Sequence, residues 1–182
     1  GTFTNTGALS VASGRTLTLQ SSIFNNQSGG TFGGGGTTLS LSSATMNATP
    51  DYSTAGSTVV LSNSTWNGPG TFANTSTTVP LVLTSSAINA PFVQPGGATL
   101  VCQGGCALGG AFGPNPSGSV IRVQGSVSGG GTLTVANGFV NEGLLELTNM
   151  LAGQSAALYV TAGTWTNAVG GQISVLAGAG TA

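Results

Sequence analysis

One short strand pattern recurs down this chain and constrains everything else. It reads Thr16-Leu17-Thr18-Leu19, Thr38-Leu39-Ser40-Leu41, Thr58-Val59-Val60-Leu61, Pro80-Leu81-Val82-Leu83 and Thr99-Leu100-Val101-Cys102. The last residues of these segments lie 22, 20, 22 and 19 positions apart. Five residues after each of the first four comes a large apolar residue with asparagine behind it: Phe24-Asn25, Met46-Asn47, Trp66-Asn67 and Ile88-Asn89. Self-similarity at such a period marks a solenoid, and alternation within each segment marks β-strands.

The first repeat shows how one coil is built. Three short strands can be read in it, Phe3 to Asn5, Ala8 to Val11 and Thr16 to Leu19, parted by turns at Thr6-Gly7 and Ser13-Gly14. Three strands and three bends make one turn of a triangular parallel β-helix. The expected fold is therefore all-β: a single-stranded β-solenoid filling residues 1–182 as one domain, with about eight coils of roughly 20–26 residues and a right-handed path. Helices are not expected, because Gly and β-branched residues interrupt every candidate.

Coils two to five follow the pattern, with Phe32, Phe72 and Phe92 or Val93 as middle inward residues. Asp51-Tyr52-Ser53 is the least strand-like middle segment. Residues 103–119, rich in Gly and Pro, read as a loop insertion bulging from a coil. Beyond it two registers compete: Val120-Ile121-Arg122-Val123 is either the third strand of coil six or its second, with Thr132 to Val135 as the third. The second choice is preferred, because Val123 and Val135 are too close for a full coil. It makes Phe139-Val140-Asn141 the opening of coil seven and Trp165-Thr166-Asn167 the opening of coil eight, whose third strand would begin at 178–182.

Stacking turns aligned residues into ladders about 4.8 Å per step. Leu17-to-Leu100 and Leu19-to-Cys102 point inward, and Phe24, Met46, Trp66 and Ile88 form a further column at a corner. The asparagines behind them suit a bend, since Asn tolerates the left-handed conformation, and can hydrogen-bond to one another along the stack. The outward column reads Thr18, Ser40, Val60, Val82, Val101 and is expected to resume with Thr134 and Tyr159. An exposed β-branched stripe suggests a surface that meets something. Val60, Val82, Val101 and Tyr159 are thus the candidate interface; the alternatives are a covering 103–119 loop, a partner chain or a ligand platform.

Composition then removes whole classes of function. Only Arg15, Arg122, Asp51, Glu142 and Glu146 are charged, and there is no Lys or His. That leaves no basic footprint for nucleic acid, no Ser-His-Asp arrangement and no His-based metal site. The one close carboxylate pair, Glu142 and Glu146, falls on different segments, and Glu146 is better placed for an ion pair with Arg122 one coil earlier. No apolar run reaches the roughly 20 residues of a membrane span. The expectation is a non-enzyme without cofactors. Strong alternation, with 39% hydrophobic residues, argues for order despite so little charge.

Cys102 and Cys106 sit four apart across Gln103-Gly104-Gly105. A corner disulfide and two reduced thiols are both open; two lone cysteines are too few for zinc. Asn-x-Ser/Thr occurs at Asn26, Asn47, Asn63 and Asn74, which chance supplies in so Asn- and Thr-rich a chain. Ice binding by a Thr-x-Thr array is disfavoured, since the outward column decays to valine.

The phrase Gly-Thr-(aromatic)-Thr-Asn, carried by Gly1 to Asn5, Gly70 to Asn74 (with Ala73) and Gly163 to Asn167, and in part by Gly131 to Val135, resembles the repetitive passengers of bacterial autotransporters and filamentous-haemagglutinin-like exoproteins. That resemblance implies a secreted, right-handed β-helix serving as adhesin, stalk or matrix fibre; residues 103–119 depart from the repeat. Neither end reads as capped, so the expectation is an extracellular or cell-surface structural protein, a filament subunit that self-associates end to end or a piece of a longer stalk. The alternative is an adhesin or carbohydrate-binding module that engages glycans or a cell surface through Tyr159 and its polar neighbours.

Overall fold

The computed structural model describes residues 1–178, and among them it is all-β: a parallel β-solenoid of eight coils. Two faces are continuous eight-stranded parallel sheets. Face one stacks Thr2–Asn5, Ile23–Asn26, Thr45–Ala48, Thr65–Asn67, Ala87–Ile88, Gly105–Leu108, Gly131–Val135 and Ala156–Val160. Face three stacks Thr16–Gln20, Thr37–Ser42, Ser57–Ser62, Leu81–Thr84, Thr99–Gln103, Val120–Gly125, Leu144–Asn149 and Gln172–Val175. Face two, between them, holds shorter pieces: Ala8–Ser10 with Thr31–Gly33, then Tyr52–Ser53, Phe72–Ala73 and Phe92–Val93, and finally Val140–Asn141 with Thr166–Asn167.

The inward columns of face three run as the repeat implies, with Leu17 on Leu39, Leu19 on Leu41 and Leu81 and Leu83 on Leu100 and Cys102. Phe24, Met46, Trp66 and Ile88 also form one column, continued by Leu108 and Val135. That column is not at a corner. It is the inward row of face one, each member buried in mid-strand or at a strand end. Face two contributes a third apolar row, a stack of rings: Phe32, Tyr52, Phe72, Phe92, Phe112, Phe139 and Trp165, with successive centroids 5.1–6.1 Å apart. Offset aromatic pairs contribute about 0.5–1.5 kcal/mol beyond area burial, so the short strands of face two are held largely by their rings. Tyr52, on the stretch that reads least like a strand, is a full member of this stack, and burial pushes its phenol well above the ordinary range.

The second half is rotated by one face from the preferred sequence register. Val120–Gly125 pairs with Thr99–Gln103 and is the third strand of coil six; Gly131–Val135 pairs with Gly105–Leu108 and is the first strand of coil seven. Trp165 to Asn167 accordingly lies on face two, and Gln172–Val175 is the third strand of coil eight. The short interval from Val123 to Val135 is a corner crossing, which needs no full coil. The strand expected from 178 onward falls mostly on 179–182, outside the described residues. Residues 103–119 are no bulging insertion either: they supply the face-one strand Gly105–Leu108 and then Phe112 and Asn115, all three buried elements of coil six. Glycine is abundant there for a local reason. A Cβ on Gly110 would lie 2.2 Å from Ala90 O, as one on Gly70 would from Pro50 O. At this corner stacked backbones approach too closely for a side chain.

Candidate functional site

Chemistry on a solenoid has to be built on outward columns, at corners, or from the few ionisable groups. Asparagine behaves differently at two such places. On face one, Asn47 donates to Asn25 (2.8 Å), Asn67 to Asn47 (3.0 Å) and Asn89 to Asn67 (2.8 Å), an outer amide ladder of the kind the repeat implies. Asn25, Asn47 and Asn67 are strand residues and Asn89 directly follows its strand; none is at the left-handed bend. The non-glycine left-handed positions are instead Ser21, Ser43, Asn63 and Ser85 (φ 47–51°), one at each of the first four corners from face three to face one.

The second ladder is buried, and the repeat does not announce it. Asn74 Nδ2 donates to Gln94 Oε1 (3.0 Å), Gln94 Nε2 to Asn115 Oδ1 (3.2 Å), Asn115 Nδ2 to Asn141 Oδ1 (2.7 Å) and Asn141 Nδ2 to Asn167 Oδ1 (2.7 Å). Each nitrogen also donates to the carbonyl that opens face three of the next coil: Thr99, Val120, Leu144 or Gln172. The double donation fixes the orientation of every amide, so all donors point toward coil eight. Buried amides are tolerable only when so satisfied. A signal was present in the sequence, an aromatic followed two residues later by Asn or Gln (Phe72/Asn74, Phe92/Gln94, Phe139/Asn141, Trp165/Asn167).

The candidate interface residues divide between two faces. Val60, Val82 and Val101 stack on face three, and the column continues into Arg122, Glu146 and Ser174. Tyr159 is on face one, above Thr134 and Ala107. Val60 and Val82 are half-buried and Val101 is only 7% exposed. The stretch 103–119 does not lie over them as a flap, since it forms coil six. The apolar stripe is three residues long and is closed at coil six by the Arg122–Glu146 ion pair, in which the carboxylate is nearly buried. Tyr159, by contrast, is 58% exposed.

The remaining ionisable groups are scattered. Asp51 accepts a hydrogen bond from the Thr71 amide (2.7 Å). Glu142 lines an open groove of about 320 Å³ with Ser117, Ser119 and Gln172, while a larger groove of about 430 Å³ is bordered by Ser21, Ile23, Ser43 and Thr45. Neither brings two titratable side chains together. Among the described residues no group of three His, Cys, Asp or Glu side chains has the proximity to hold a metal ion.

Cys102 and Cys106 are free thiols, both buried; Cys106 Sγ lies 3.4 Å from the carbonyl of Leu83, the residue on which Cys102 stacks. The Cys106 thiol is pulled down to about 7, first by the neighbouring Cys102 side chain and then by the backbone at Ser86, Gln103 and Ser85, with burial opposing. Cys102 is pushed up by the Cys106 side chain and by burial. By count from the end of each repeated strand Cys106 occupies the place of Ile23, Thr45, Thr65 and Ala87, but the residue that aligns with them is Ala107. Cys106 stands one position earlier, an inward residue paired with Leu133.

No family model, no curated protein and no solved structure matches the chain.

Proposed function

We propose that the chain is a non-enzymatic structural shaft that works outside the cell, a solenoid segment of a filament or surface stalk stacked end to end. One observation carries this reading. The apolar columns run through all eight coils of the solenoid and meet solvent at both terminal coils. In coil one Phe3 is 51% exposed and Leu9, Leu17 and Leu19 are half-buried; in coil eight Trp165, Ile173 and Val175 are exposed, the last at 76%. These residues belong to the same inward columns that are sealed in coils three to six. Strand edges and apolar side chains of this kind pair with a further coil, of the same chain or of another copy, and heterologous head-to-tail contacts that do not close propagate as fibres. Low charge supports close packing, because little repulsion opposes it. It also suits an extracellular surface of hydroxyls and amides.

Sedimentation of the purified chain over a range of concentrations, with electron micrographs of the same samples, tests the assembly. The expected result is concentration-dependent growth into fibres one solenoid wide. A monomer at every concentration overturns end-to-end stacking.

A second reading, adhesion to glycans, is favoured by Tyr159 alone: an exposed ring on a flat uncharged face beside Thr134 and Thr161. Binding on a glycan array that is lost in Tyr159→Ala supports it; an empty array removes it.

A further inference from the structure

The corner of coil five differs from those before it in length, in residue type and in chemistry. In the preceding coils three steps lead from the last outward residue of face three to the first outward residue of face one, as from Thr84 to Ala87. In coil five the same crossing, Gln103 to Ala107, takes four. The extra residue gives a Gly104-Gly105 pair, in which Gly104 makes the bend and Gly105 opens the face-one strand. Gly104 has φ +67°, and Gly105 has nothing within 4 Å of where a Cβ would stand.

Past that bend Cys106 takes over a serine's place. In earlier coils the inward corner residue is Ser64 or Ser86, whose hydroxyl donates to the carbonyl of Ser62 or Thr84 (2.7 Å each) and accepts an amide of the coil before. Cys106 Sγ lies correspondingly 3.3 Å from Gln103 O and 3.4 Å from Leu83 O. Cys102 is the inward residue stacked between Leu83 and Val123, where the column asks only for an apolar side chain, so both cysteines border Leu83. Two buried thiols therefore border one residue, Leu83, from either side of a corner that contains two glycines.

We propose that Cys102 and Cys106 are an oxidisable pair that closes into a disulfide and locks the corner of coil five. Closure in the life of the protein rests on the extracellular reading above, since disulfides persist in oxidising compartments; the capacity to close stands apart from it. The exchange balances with a low-molecular-weight disulfide such as oxidised glutathione as the oxidant. The Cys106 thiolate attacks it and releases one glutathione thiolate. The Cys102 thiol then gives up its proton, its sulfur attacks Sγ of Cys106 in the mixed disulfide, and the second glutathione leaves. Two protein thiols are oxidised and one disulfide is reduced to two thiols.

Refolding in a glutathione redox buffer, followed by mass spectrometry of the intact and digested chain, tests this. The expected product has lost two hydrogens and yields one peptide pair joined through Cys102 and Cys106. Its melting temperature should lie about 4–8 °C above that of the reduced chain, as expected for closing so short a loop. Cys106→Ser, which restores the hydroxyl found in earlier coils, and Cys102→Val, which matches Val123, should both fold and lose this redox dependence. Two free thiols per denatured chain after such refolding, stable glutathione adducts, or disulfide-linked dimers would each overturn the proposal. None of these outcomes depends on whether the chain forms fibres, so failure here leaves the assembly reading standing, and the reverse holds.

Discussion

The inner and outer amide ladders are made of the same side chain, spaced by the same coil, yet they do different work. The outer ladder of Asn25, Asn47, Asn67 and Asn89 exchanges one hydrogen bond per step on a face that water reaches. The inner ladder of Asn74, Gln94, Asn115 and Asn141 makes two donations per amide with no water to replace either. A hydrogen bond that solvent can substitute nets little, whereas orphaning a buried partner costs its full desolvation. The inner ladder therefore specifies the fold, and the outer one decorates it. Their donors also point opposite ways along the axis, toward coil eight inside and toward coil one outside. The inner direction is set by the face-three carbonyls that take the second donation.

The apolar rows show the same contrast between sealed and open positions, and they set the largest effect. Phe92→Ala removes a fully buried ring between Phe72 and Phe112 and should cost about 4 kcal/mol by chemical denaturation. Trp165→Ala, at the open end of the same stack, should cost no more than about 2 kcal/mol in the unassembled chain. Equal losses would mean that the end coil is as well packed as the middle. Next comes Asn115→Leu. It strips the acceptor from Gln94 Nε2 and Ser119 Oγ and the donor from Asn141 Oδ1 and Leu144 O, an expected loss of about 3 kcal/mol in the same measurement.

Asn67→Ala breaks two outer bonds and should cost less than about 1 kcal/mol. An outer loss as large as the inner one would break the distinction between the ladders. The smallest effect belongs to the corner. Ser43→Gly relieves a left-handed residue at φ 51°, offset in part by glycine's greater freedom when unfolded, for a net gain of about 0.5 kcal/mol seen as a slightly higher melting temperature.

Much of this was legible in the residues. Period and alternation gave the solenoid, the face-three Leu columns and the outer Asn ladder. They also gave the pairing of Glu146 with Arg122, because a strand repeating every coil must stack like residues on like. What misled was reading phrases as positions. Gly-Thr-(aromatic)-Thr-Asn sits on face one at Phe3 but on face two at Trp165, so the phrase marks a strand after a tight corner and not a particular side of the triangle. Once a corner grows, as after Gly125, nothing local distinguishes a second strand from a third. Only inter-coil hydrogen bonding settles it, by pairing Val120–Gly125 with Thr99–Gln103.

The sequence by itself determined that this chain coils, how large a coil is, which residues of each strand face inward, and that charge takes little part in its chemistry. Those are consequences of period and alternation, which are local. The tertiary structure decided which face each strand joins, that Tyr159 and the valine stripe look in different directions, that 103–119 is a coil and not a flap, and that Cys102 and Cys106 both border Leu83 at a lengthened corner. Those depend on how one coil registers on the next. Register is a sum of many weak pairings along the whole stack, and no single segment carries it.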